Sequence, residues 1–371
     1  MRALVELSGE NLALAEAELD ALLVGRGTRS ADSSPLPLPR LRAIELADEE
    51  RAHELGRRMG LMRQLLVVRP ERLPPVGKAA SDGARPTGST AFRWLGPPPA
   101  DGPRRLAELM EAFRAEGGRA QLAQPDREFR IWIDHGELRL AERVAEPDRA
   151  GLASRRMPRL PYQRPVSLPP KRARALANLG RAGPGTRVVD PFVGTGALLL
   201  EAALLGARCT GIDQSDRMVR GAAQNFGHFG ASAEAWMVED AGRAVDRFET
   251  GSFDLLLTDP PYGRASTTGG EEPVALLERA LSGWTSRLAP GGRIALAVPQ
   301  GTPSPVAPPW RCTVAVADRV HRSLVREFRV YGRAAEGNSS VVNDSDEETK
   351  PGEQSRSAET RTVTAAAWRF S

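Results

Sequence analysis

Two short segments hold the residues best placed to do chemistry. The first is Asp259-Pro260-Pro261-Tyr262-Gly263, which follows an apolar run, FDLLLT, that reads as a strand. A carboxylate beside a free backbone carbonyl can accept both hydrogens of an exocyclic amino group on a flat base. That draws the amino nitrogen towards a tetrahedral geometry and frees a lone pair otherwise delocalised into the ring. Asp259 and the carbonyl of Pro260 are the acceptors, Pro261 stiffens the loop, and Tyr262 offers a ring on which a base lifted out of its helix can stack. A Pro-Pro turn that only ends a strand is the simpler account. Chance occurrence of this spacing, well under about 1% in a chain of this size, weighs against it.

The second segment is VVDPFVGTGALLLEAA, in which Asp190 ends a strand and Gly194 and Gly196 open the following turn. Glycine lets a backbone pass close to a ligand, and the helix start offers free N–H groups. The dinucleotide fingerprint needs a third glycine where Leu199 stands, and the phosphate-cradling P-loop spacing is missing. A carboxylate ahead of the glycines repels phosphate but suits the sulfonium and amino group of S-adenosylmethionine. Asp213 ends the next strand, where a carboxylate can accept both ribose hydroxyls of an adenosine. Asp240 ends the third, where one can accept from an adenine amino group. Asp213 or Asp240 alone reads more readily as a helix N-cap than as a ligand-binding group. Together they sit where open α/β sheets bind ligands, at the C-terminal ends of successive strands.

The elements that must carry these residues alternate. From about residue 186 to 332, TRVVDPF, RCTGID, AWMVED, FDLLLTD and GRIALAVP read as strands separated by helices. That pattern predicts a parallel sheet with helices on both faces, closed by a hairpin around His321-Arg322-Ser323. Ahead of it lie two small α+β units, over 1–65 and 66–150. A Pro-rich linker over 151–170 reads as extended chain as far as the helix KRARALANLG. The α/β domain spans 171–332, and the acidic, polar segment 333–371 reads as a disordered tail.

The chain has 371 residues and a net charge of +4, but residues 151–187 alone hold nine basic residues and no acid. Arg155, Arg156, Arg164, Arg172 and Arg174 in this stretch are expected to meet phosphates. Two cysteines, Cys209 and Cys312, form neither a disulfide framework nor a zinc set, and the four histidines are isolated, so no metal is expected. The opening residues lack a basic region followed by an unbroken apolar one, so no signal peptide is expected. No apolar run approaches a membrane span. A cytoplasmic, monomeric protein is expected.

These two motifs resemble the signatures of archaeal and eukaryotic tRNA guanosine-10 N2-methyltransferases. PVSLPPKRARALANL before the first motif, HRSLVREFRVY near the end and VELSGENLALAEAEL near the start resemble the same family. The resemblance implies a Rossmann-like S-adenosylmethionine-dependent methyltransferase domain, with a mostly parallel seven-stranded sheet and a closing antiparallel hairpin. Ferredoxin-like and THUMP domains would precede it. It further implies that Asp190, Gly194 and Gly196 hold the methionine part of the cofactor, Asp213 the ribose and Asp240 the adenine. Asp259, Pro260, Pro261, Tyr262 and Gly263 would hold a guanine of tRNA. An rRNA guanine-N2 or DNA adenine-N6 methyltransferase, or a non-catalytic RNA-binding protein, stays open on the residues alone, because an adenine amino group poses the same problem.

Overall fold

The computed structural model describes residues 1–24, 26–29, 36–69, 88–164, 167–261, 273–322 and 324–333. The expected acidic tail, Tyr262 and Gly263 lie outside the described residues. The first part of the chain contains β1 (Arg2–Leu7), α1 (Leu12–Leu23), β2 (Gly27–Arg29), β3 (Leu41–Leu46), α2 (Glu49–Arg58) and β4 (Met62–Arg69). It continues through β5 (Ser89–Trp94), α3 (Gly102–Ala115), β6 (Arg119–Ala120), β7 (Arg127–Asp134) and β8 (Glu137–Ala145). Local chemistry starts the helices: Asn11 Oδ1 accepts from Leu14 N at 3.0 Å ahead of α1, and Asp48 Oδ1 accepts from Arg51 N at 2.9 Å ahead of α2.

These strands form one eight-stranded sheet in the order β2-β3-β1-β4-β8-β7-β5-β6. The two units expected over 1–65 and 66–150 are therefore continuous in the described residues: β4 pairs antiparallel with β1 on one side and β8 on the other. The linker also differs from the expected extended chain. It contains α4 (Arg149–Ser154) and a 3-10 turn over Met157–Arg159. Proline fits the first turn of a helix, where its missing N–H has no partner to lose, so Pro158 and Pro170 start turns rather than prevent them.

The second part comprises α5 (Pro170–Leu179), β9 (Arg187–Asp190), α6 (Ala197–Leu204), β10 (Arg208–Asp213), α7 (Asp216–His228), β11 (Ala235–Val238) and α8 (Ala241–Ala244). Then follow β12 (Phe253–Thr258), α9 (Pro273–Trp284), β13 (Leu288–Pro299), β14 (Trp310–His321) and β15 (Leu324–Arg333). The sheet order is β11-β10-β9-β12-β13-β15-β14, with β15 antiparallel to both neighbours and the other pairings parallel. Val188 and Val189 of β9 are both fully buried, as a central strand covered on two faces requires. The chain leaves β9 towards β10 and β11, then returns to the other side of β9 as β12. A topological switch point therefore lies between β9 and β12.

The two parts share a core. One apolar cluster runs from Val5, Leu14 and Leu19 through Leu176 to Val188 and Leu255. Helix α5 carries it, with Ala173, Ala175, Leu176, Ala177 and Leu179 buried. The seam also holds polar groups. Glu18, fully buried on α1, accepts from Gly60 N at 2.8 Å, Leu61 N at 2.9 Å and Asn178 Nδ2 at 2.8 Å. Burial raises the Glu18 carboxyl, and these donors oppose that. Replacing Glu18 by Ala strands two backbone N–H groups and an amide in the core. We expect Glu18→Ala to cost about 2–4 kcal/mol, read as a lower urea midpoint, with a smaller loss in Glu18→Gln. An unchanged midpoint would show that the seam does not depend on this carboxylate.

Candidate active site

The site begins at the end of β9. Asp190 is 2% exposed, and its Oδ1 accepts from Thr258 Oγ1 at 2.8 Å and from Phe192 N at 3.0 Å. Thr258 is the last residue of β12, so this bond ties together the two strand ends that flank the switch point. Burial pushes the Asp190 carboxyl up to about 7; the two hydrogen bonds pull against it, and the charges of Asp259 and Asp213 push the same way.

The turn after Asp190 is set by Gly194 and Gly196, with φ of 52° and 77°. A Cβ on Gly196 would press on Ala222 at 3.0 Å, so close packing on α7 excludes a side chain there. A Cβ on Gly194 would meet only Phe192 O, at 3.9 Å, and Gly194 faces open cleft. Gly194 N donates to Asp213 Oδ2 at 3.0 Å, while Ser215 N donates to Asp213 Oδ1 at 2.9 Å. Asp213 is thus held at the end of β10, its carboxyl raised by burial against these two bonds.

Asp240 follows β11 and caps the short α8, accepting from Gly242 N at 2.9 Å and Arg243 N at 3.2 Å. Arg279 Nη1 of α9 lies 3.2 Å from the same oxygen. Its carboxyl sits below the usual range: burial works against ionisation, and Arg279 with the two N–H groups outweighs it. Asp259 follows β12 directly, beside Arg326 Nη2 of β15 at 3.8 Å. Pro260 and Pro261 continue along the wall.

Asp213, Asp240, Asp259, Pro260, Pro261 and Gly194 line one cleft of about 2380 Å³. It extends past α4 to the start of β4, well beyond the ~300–1,000 Å³ of a small-molecule pocket.

The arginines divide, and the expectation that all five meet phosphates is corrected. Arg155 and Arg174 are buried on one carboxylate: Arg155 Nε lies 2.6 Å from Glu201 Oε1, and Arg174 Nη2 lies 2.6 Å from Glu201 Oε2. Arg172 pairs with Glu10 at 2.6 Å and Asp318 at 3.3 Å, and Lys171 with Glu10 at 2.5 Å. These three arginines and Lys171 hold the fold together. Among the described residues, Arg156 and Arg164 line the cleft without a carboxylate partner; Arg164 lies over the Tyr162 ring at 5.9 Å.

Sequence reading missed Thr258, Arg326 and a clamp over the glycine turn. Asn225, buried on α7, donates to Tyr162 O and Thr195 O at 2.9 Å each and accepts from Tyr162 N at 2.9 Å. Ser167 Oγ and Thr195 Oγ1 are 2.8 Å apart. Thr258 could have been found, because a hydroxyl one residue before Asp259 sits at the same strand end. Nothing local to Asn225 marks it.

A doubly wound sheet with a reversed closing strand, and carboxylates rather than a phosphate cradle at its ligand edge, defines a Rossmann-like α/β domain. Residues 158–304 match the family described as UPF0020: RMKL-like, methyltransferase domain. The chain is 36% identical over 222 residues to the tRNA (guanine(10)-N2)-dimethyltransferase of Pyrococcus abyssi, covering 59% of this chain and 65% of the relative. It is 34% identical over 219 residues to the enzyme of the same name from Methanothermobacter thermautotrophicus, covering 58% and 64%. The chain thus spans just under two thirds of the length of these relatives. The crystal structure of TrmN from Thermus thermophilus is similar at 23% identity and a TM-score of 0.49, over 90% of this chain and all of that one.

Asp190 has a consequence for stability. In the unfolded chain an Asp titrates near 3.9. Between about pH 4 and 7 the fold holds a proton that the unfolded chain has released, so this group's contribution is full below pH 4 and is lost as pH rises towards 7. Asp190→Asn should remove that loss. Denaturant unfolding at acidic and alkaline pH should show the variant gaining on the wild type as pH rises through this window. A pH-independent difference would refute the raised carboxyl.

Proposed function

We propose that the chain methylates the exocyclic N2 amino group of a guanosine in tRNA, position 10, giving N2-methyl- or N2,N2-dimethylguanosine, with S-adenosylmethionine as donor. The observation that carries this is the convergence of Asp213, Asp240 and Asp259 on one switch-point cleft, with Pro260 and Pro261 following the last of them and the buried Asp190 tying the strand ends behind them. The names of the relatives and the matched family support the same reading.

The residues fit this donor. The open space at Gly194 admits a ligand against the backbone, and the carboxylates around it favour a cation over a phosphate. Asp190, Gly194 and Gly196 would hold the methionine end, and Asp213 the ribose. Asp240 would act from its capped position at the adenine, with Ala241 beside it. When bound, S-adenosylmethionine supplies an electrophilic methyl group on its sulfonium.

Asp259 and the Pro260 carbonyl would each take one hydrogen of the amino group and turn its lone pair into line. The nitrogen gains a carbon and gives up a proton, for which Asp259 is the nearest acceptor. Such positioning supplies roughly 7–11 kcal/mol of a barrier. Tyr262 and Gly263 complete the proposed guanine contacts.

We read 1–65 as ferredoxin-like, 66–150 as THUMP-like, 151–170 as linker, 171–332 as the methyltransferase domain and 333–371 as an acidic tail. The β-α-β-β-α-β order with strands arranged β2-β3-β1-β4 supports the first of these. The monomer acts on tRNA, whose phosphates meet Arg156 and Arg164.

Incubating unmodified tRNA with the protein and donor should yield N2-methylated guanosine by nucleoside mass spectrometry. Asp259→Ala should lower kcat by about a hundredfold. No N2-methylguanosine, or full activity in that variant, would sink the reading. Replacing Arg156 and Arg164 together should flatten the salt dependence of tRNA binding by about two slope units, whereas an unchanged slope would take both off the RNA path.

A further inference from the structure

We propose that Arg326 is a positioning residue for the reaction at Asp259, holding that carboxylate in the orientation that receives the amino group. The inference rests on the reading of Asp259 given above.

The topology brings the two residues together across 67 positions of sequence. β15 runs antiparallel to β13, so its first residues reach the edge where the parallel strands end. Arg326 stands opposite Pro299, the last residue of β13, and opposite Asp318 of β14. Its Nη2 lies 3.8 Å from Asp259 Oδ2, and the two side chains are 9% and 15% exposed.

Asp259 lies just past the end of β12, outside strand pairing, and the following proline restrains its backbone to extended conformations. Contacts restrain its side chain, and the one with Arg326 is an ion pair. The Asp259 charge helps to raise the Asp190 carboxyl, and a positive partner beside Asp259 offsets that repulsion. Arg326 supplies a positive charge 3.8 Å from Oδ2, from a side chain that lines the cleft beside Asp259.

Asp318, the acid beside Arg326 in the sheet, is already engaged by Asn11 Nδ2 at 2.9 Å and Arg172 Nε at 3.3 Å. His321, at the end of β14, lines the same wall. A guanidinium is planar, permanently charged and fixed here by a paired strand, whereas a lysine offers only a point charge on a looser stem.

The test is steady-state transfer of labelled methyl from S-adenosylmethionine to total unmodified tRNA, with wild type, Arg326→Gln and Arg326→Lys. Arg326→Gln should lose about ten- to a hundredfold in kcat, the scale of a misplaced reacting group. Its KM values for tRNA and donor should stay within about threefold. Arg326→Lys should recover part of kcat, and guanidinium ion at sub-denaturing concentration should recover part of the Gln variant's. S-Adenosylhomocysteine binding and thermal melting establish that each variant is folded. Should Arg326→Gln fail to fold, Arg326→Lys decides, with an intermediate kcat expected. Wild-type kcat in either variant, or a loss confined to KM, overturns the inference. Label counts do not depend on which base is modified. Label found away from guanosine N2 therefore refutes the substrate reading alone, and the kcat comparison still decides on Arg326.

Discussion

The hydrogen bond from Thr258 to Asp190 is the constraint from which the rest of the site follows. Two parallel strands that meet at a switch point must stop at matching heights, and here a buried carboxylate joins their ends at 2.8 Å. An ionised carboxylate in the core is costly unless it is hydrogen-bonded. Asp190 receives two bonds and stays partly protonated near neutrality, so the strand ends are held without a full buried charge. Asp259 is the residue after Thr258, and its height is therefore set by the same bond. The glycine turn departs from Asp190, and its Gly194 N–H in turn fixes Asp213. Three strands thus deliver carboxylates to one place through backbone and side-chain bonds that span only a few residues each.

That locality explains what could be read from the sequence. A strand that ends in Asp before a glycine turn, and a strand that ends in Asp-Pro-Pro, carry their geometry within about ten residues. The alternation of apolar strands and helices carries the sheet class in the same way. The arginines of 151–187 were a different case. Sequence displays the sign of a charge and conceals its partner. Glu201 is 46 positions from Arg155 and 27 from Arg174, and Glu10 is about 160 from Lys171 and Arg172. A run with no acids of its own reads as an anion-binding strip, but most of its charge is spent on acids brought from elsewhere by folding.

The continuous first sheet was hidden for a related reason. β4 holds the boundary between the two expected units because it has two partners, β1 and β8, the second about 75 residues downstream. Periodicity marks β4 as a strand buried over most of its length, MRQLLVVR, without saying which strands flank it. The proline-rich linker misled through composition. Proline opposes helix continuation but favours helix beginnings, and 151–170 holds beginnings.

The distribution of charge in the cleft follows from how much of the basic stretch is internally neutralised. The sheet edge that lines it carries Asp213, Asp240 and Asp259, and of these Asp240 and Asp259 have arginines at their sides. The segment between α4 and α5 brings Arg156 and Arg164 to the same cleft without carboxylate partners among the described residues. A polyanion entering this cleft is attracted by these two arginines and repelled by the carboxylates of the sheet edge. A neutral base on a charged backbone satisfies both fields by setting its phosphates against the arginines and its face against the carboxylates. A cationic ligand is favoured beside the carboxylates, where a phosphate is not. The separation of charges therefore does part of the work of orientation before any specific contact with the base forms, and it requires that Arg155 and Arg172, which also line the cleft, be engaged in ion pairs. Were their charges unpaired, the difference between the two sets of groups that orients a base against its backbone would be weakened.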